Sequence, residues 1–121
     1  MTSTNDHLDR LTAALTAIEA AAAENAERSR EIKHRSATLR SRLEAGESLL
    51  TLVADEERPR VVELLSTNMA TLESAGAELR AAEALALRTE GLTIEAIANL
   101  FGVTRQRISA LLKQKTATAR E

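Results

Sequence analysis

Two sets of side chains in this 121-residue chain have types and spacings that suit chemistry, and in both sets the chemistry is the holding of anions. The first is Arg105, Gln106, Ser109, Ala110 and Lys113, with Arg107 and Lys115 beside them. Ile108, Leu111 and Leu112 lie three and four residues apart and claim the inward side of a helix, so those five share its outward side. That outward face is polar and basic. Net charge is −2 overall, but from Gly102 onward Arg105, Arg107, Lys113, Lys115 and Arg120 face a single acid, Glu121. The second set is Arg28, Ser29, Lys33, Arg35, Ser36, Arg40 and Arg42. Guanidinium forks and hydroxyls both donate to phosphate oxygens.

Catalysis finds no foothold. There is no cysteine, and the two histidines, His7 and His34, stand far apart, one near the chain's start and one in a basic run, so a metal site is not expected. No glycine-rich phosphate loop and no nucleophile elbow occurs. The Asp55, Glu56, Glu57 cluster reads as a charged turn before a helix start, with no pocket-forming residues around it. The chain is expected to be no enzyme and to need neither cofactor nor metal.

The elements that must position the basic face are legible between 92 and 113. Thr93 is a hydroxyl cap for a short helix whose apolar stripe is Ile94, Ile97, Ala98 and Phe101. Gly102 supplies the left-handed residue that ends it, Val103 is placed to plug the corner, and Thr104 caps the helix beginning at Arg105. Ala98 is small where two steeply crossing helices need close backbone approach. Upstream, 77–89 reads as a further helix with Leu79, Ala82, Ala86 and Leu87 inward, stopped by Gly91.

With these residues in place, the segment from about 77 to 115 resembles the helix-turn-helix family of bacterial transcription factors. The run GVTRQRI looks particularly like the fourth conserved region of sigma factors. The resemblance implies that the helix 105–115 enters the major groove of double-stranded DNA. Thr104, Arg105, Gln106, Ser109, Ala110 and Lys113 would meet base edges or nearby phosphates, and Arg107 and Lys115 would mainly hold the backbone. Nothing resembles the other conserved sigma regions, so polymerase binding and promoter melting are not implied.

The rest of the chain reads as a carrier. Alanine, leucine, glutamate and arginine dominate, Phe101 is the only aromatic residue, and no strand is expected. From about Asp6 to Glu44 a seven-residue repeat visits Leu8, Leu11, Leu15, Ile18, Ala22, Asn25, Ser29, Ile32, Ser36, Leu39 and Leu43, with Asn5 or Asp6 as a cap. Arginines beside its polar half require something negative opposite: the chain's own acids, auxiliary DNA contact, a protein partner, or a small anionic ligand such as a nucleotide. A short helix at 47–57 and a bend near 55–59 follow, with Pro59 opening a second long helix through Val62, Leu65, Met69, Leu72 and Leu79.

The expected architecture is therefore all-α: a helical hairpin or coiled coil over 1–76, bent near 46–59, a three-helix helix-turn-helix unit over 77–116, and a tail at 117–121. A single unit makes few base contacts, so a homodimer paired through the long seam is expected. A helical interaction protein is the competing class. No membrane span or secretion signal is evident, and a cytoplasmic location is expected.

Overall fold

A computed structural model of the chain describes residues 3–120, with side chains described from Asp6 to Lys113. Among the described residues there are five α-helices and no strand: α1 (Ser3–Glu44), α2 (Leu49–Asp55), α3 (Val61–Thr89), α4 (Ile94–Phe101) and α5 (Arg105–Arg120). None of them is long and apolar enough to cross a membrane. The chain separates into two compact units, residues 1–19 with 74–121, and residues 20–73. α3 continues as one helix through Gly76, so that glycine does not end it. α5 continues to Arg120, through the residues expected as a tail.

In the 20–73 unit, polar contacts decide how the helices meet. Asn25 is only 8 % exposed. Its Nδ2 donates to the Asn68 carbonyl at 2.9 Å, and its Oδ1 accepts from Arg28 Nη1 at 3.1 Å. Arg28 Nη1 also donates to Asn68 Oδ1 at 2.9 Å, and Asn68 Nδ2 donates to Ser29 Oγ at 3.1 Å. Every member of this network has a partner, so the pairing of α1 with α3 is held where Asn25 meets Asn68; a slip along the seam would leave buried amides unsatisfied at a cost of about 1–3 kcal/mol each. Further along α1, Arg35 donates to the carbonyls of Glu57 and Pro59, which precede α3. The two segments are therefore antiparallel within this unit.

That arrangement shifts the seam from the one expected. The covered stripe of α1 here is Ala21, Asn25, Arg28, Ile32, Arg35, Leu39 and Arg42, buried or half-buried, while Ala22, Ser29, Ser36 and Leu43 are exposed. On α3 the covered stripe is Val61, Leu64, Asn68 and Thr71, and the expected Val62, Leu65, Met69 and Leu72 are exposed. Aliphatic content favours the second stripe on each helix. Asn25, Ile32 and Leu39 of the expected α1 seam are covered as expected, and the partners of Arg28 and Arg35 select the first stripe over Ser29, Ser36 and Leu43.

The turns follow ordinary capping chemistry with two displaced boundaries. α1 begins at Ser3, so Asp6 lies in its first turn, where its charge complements the helix dipole, and not at a cap. α2 is shorter than expected, from Leu49, with the Ser48 hydroxyl accepting from the Thr51 amide at 3.4 Å. Pro59 stands before α3 and does not open it. The Arg60 amide donates to Glu63 Oε1 at 2.7 Å and the Val61 amide to Glu56 Oε2 at 2.8 Å. Two carboxylates thus take up the free amides, and the helix starts where they reach.

Between α1 and α2, Arg42 Nε and Nη2 grip the Glu47 carboxylate at 2.7–3.1 Å. This contact holds the Glu47 carboxyl below its ordinary range and raises the Arg42 guanidinium. Because the folded value lies below the unfolded value of about 4.3, the contact contributes fully above that pH and is lost as pH falls through the folded value. Melting temperatures of the native chain and of Glu47→Gln should accordingly differ slightly at neutral pH and converge in acid. A gap that stays constant from pH 7 to pH 3 would contradict the assignment.

Candidate nucleic-acid interface

In the other unit, the second half of α3 packs with α4 and α5 around one apolar cluster: Ala81, Ala84, Ile97, Ala98, Ile108 and Leu111. Leu87, Leu92, Ile94, Phe101 and Leu112 close over it. Ile97 and Ile108 are fully buried, each contributing about 1.5–3 kcal/mol of transfer free energy. Ala98 is 3 % exposed and belongs to the same cluster. On α3 the expected inward set is altered. Ala81 and Ala84 belong to the cluster, whereas Ala82 and Ala86 are buried outside it. This part of α3 is covered on more than one side, which a one-sided periodicity cannot report.

The link between α4 and α5 is short and fully specified. Thr93 caps α4, its hydroxyl accepting from the Ala96 amide at 3.1 Å. Gly102 has φ 70° and ψ 33°, the left-handed conformation. Its amide donates to the Asn99 carbonyl at 3.3 Å and the Val103 amide to the Ala98 carbonyl at 3.0 Å, the two reversed bonds that satisfy the last carbonyls of a helix. Thr104 Oγ1 accepts from the Arg107 amide at 3.1 Å and opens α5. Val103 does not plug the corner. It is 41 % exposed and borders a surface hollow with Arg80, Glu83, Phe101, Arg107 and Leu111.

With its inner side held by Ile108 and Leu111, α5 turns a defined face outward. Arg105, Gln106, Ser109, Ala110 and Lys113 together line one open depression. Arg107 and Thr104 are exposed beside it, and Lys115 lies outside the described side chains. Among the described residues, Arg105, Arg107 and Lys113 form no ion pair within the chain. The first turn of α5 carries Arg105 and Arg107 and no acid, whereas α1, α3 and α4 each have one there. Cations at a helix N-terminus oppose its dipole by about 0.3–1 kcal/mol each. An anion docked on this face would reverse the sign of that interaction.

The second basic set is differently disposed. Arg28 and Arg35 have side chains 20 % and 16 % exposed and are occupied by the chain itself, Arg28 by Asn25, Asn68 and Glu24, Arg35 by Glu31 and Glu57. Arg42 is held by Glu47. Ser29 accepts from Asn68, and Lys33, Ser36 and Arg40 are exposed around the helix. Arg28, Arg35 and Arg42 thus meet the chain's own carboxylates and carbonyl oxygens. Glu56, which caps α3, and Asn68, which closes the polar network, are structural residues that periodicity alone did not single out; the only signal was their polar type beside a helix start and on an apolar stripe.

Comparison of the chain with family models, with curated proteins and with solved structures returned no match.

Proposed function

We propose that this chain is a sequence-specific DNA-binding transcriptional regulator acting as a dimer. In this reading the end of α3 with α4 and α5 is a helix-turn-helix unit, α5 is the recognition helix, and the antiparallel helices of the 20–73 unit form the hairpin that carries it. Arg105, Gln106, Ser109 and Lys113 read base edges in the major groove, with Thr104 and Ala110 alongside. Arg107 and Lys115 hold phosphates.

The observation that carries the reading is the contrast between the two arginine sets. Arg28, Arg35 and Arg42 are engaged internally, while Arg105, Arg107 and Lys113 are held outward on a helix whose opposite face is locked in the core. The same contrast weighs against the arginine and serine seam as a nucleotide sensor, since the forks of Arg28, Arg35 and Arg42 already have partners.

Selection of bound sites from random duplex DNA tests the proposal. Enrichment of paired half-sites about 34 Å apart, or a multiple of that spacing, is expected, with affinity falling steeply as salt rises. A pool that stays unenriched after repeated rounds would refute it.

A further inference from the structure

Of the five residues that line the depression on α5, Ala110 alone has a side chain that can neither donate nor accept a hydrogen bond. The depression has a volume of about 460 Å³, and Ala110 is exposed within it between Arg105, Gln106 and Ser109 on one side and Lys113 on the other. Successive residues of a helix turn by about 100°, so the direction opposite buried Ile108 and Leu111 passes close to Gln106 and Lys113, with Ser109 and Ala110 about 50° to either side. Two long polar arms are therefore separated along the axis by two short side chains. A group that meets Ala110 must project into that gap.

We propose that Ala110 reads the 5-methyl group of a thymine. The inference rests on the reading of α5 as a recognition helix, and it narrows that reading from a duplex in general to one base. Every base pair presents hydrogen-bond donors and acceptors in the major groove, but only thymine adds an apolar group there. A polar edge pressed against Ala110 would lose its water and gain no partner. A methyl group loses no hydrogen bond. It also stands out from the groove floor, and the gap between Gln106 and Lys113 leaves room for such a projection, whereas a long side chain in place of Ala110 would fill it. Spacing ties the methyl to a neighbouring contact. Ala110 lies about 6 Å along the axis from Gln106 and successive bases of a strand are about 3.4 Å apart, so the thymine falls within about two base pairs of the one that Gln106 meets.

The test begins from the site that the full chain selects from random duplexes. Each thymine is replaced singly by deoxyuridine, which removes the methyl and keeps the pairing edge. One replacement, within about two base pairs of the position that Gln106→Ala relaxes, should weaken binding by the native chain about 3- to 10-fold. With Ala110→Gly the same replacement should have almost no effect. Because glycine also weakens a helix, Ala110→Gln, which keeps a good helix former, gives a second reading. Its reselected site should retain the other positions and lose the thymine at this one. An unenriched pool for the native chain refutes the recognition reading and takes this inference with it. An enriched site in which every thymine methyl is dispensable, a methyl loss that costs the native chain and Ala110→Gly alike, or an unchanged site for Ala110→Gln would overturn this inference and leave the recognition reading standing.

Discussion

Ile108→Ala is expected to destabilise the unit formed by α3, α4 and α5 by about 2–5 kcal/mol, because it empties a fully buried site at the centre of the cluster. Few side chains are available to compensate. The cluster contains only six buried residues, three of them alanines, and alanine cannot reach into a vacated volume. Small units have little stability to spare, so a loss of this size should unfold much of the unit at physiological temperature. Urea titrations followed by circular dichroism would show a lowered first transition. Leu112→Ala, at a half-buried position on the same helix, should cost less. Equal stability of Ile108→Ala and the native chain would mean that α5 is not anchored through its inner face.

The largest functional effect is expected at the other side of the same helix. Arg105→Ala and Gln106→Ala should each weaken binding to a selected duplex by about 1–3 kcal/mol, or roughly 5- to 150-fold, while leaving the melting temperature unchanged. Both side chains are exposed and neither contributes to the core. Discrimination between the selected site and scrambled DNA should fall in these variants. Arg107→Ala should instead lower affinity for both duplexes alike and reduce the salt slope by about one, as a phosphate contact does. Unchanged discrimination in the first two variants would remove the recognition role from α5.

Some of this architecture was legible locally. Helix ends are decided by nearest neighbours, so Thr93, Gly102 and Thr104 act where their types say they should, and the outward set on α5 follows from where Ile108 and Leu111 must go. Gly102 is readable for a simple reason: the turn needs a positive φ that side-chain-bearing residues resist. The misplaced boundaries are equally instructive. Pro59 is a good first helical residue by type, but Glu56 and Glu63 reach the amides of Val61 and Arg60 and set the start beyond it.

By itself, then, the amino-acid order determined which stretches are helical, where the glycine turn after α4 falls, and which face of the last helix stays wet, because each of those depends on contacts within one or two turns. Only the tertiary structure decided which stripe of α1 and α3 is covered. On α3 two stripes one residue apart compete and the more aliphatic one loses; on α1 Asn25, Ile32 and Leu39 serve both, and the guanidinium groups of Arg28 and Arg35 find their partners by turning Ser29, Ser36 and Leu43 outward. The energy of leaving such groups unsatisfied depends on residues some 20 to 40 positions away, which no local periodicity contains.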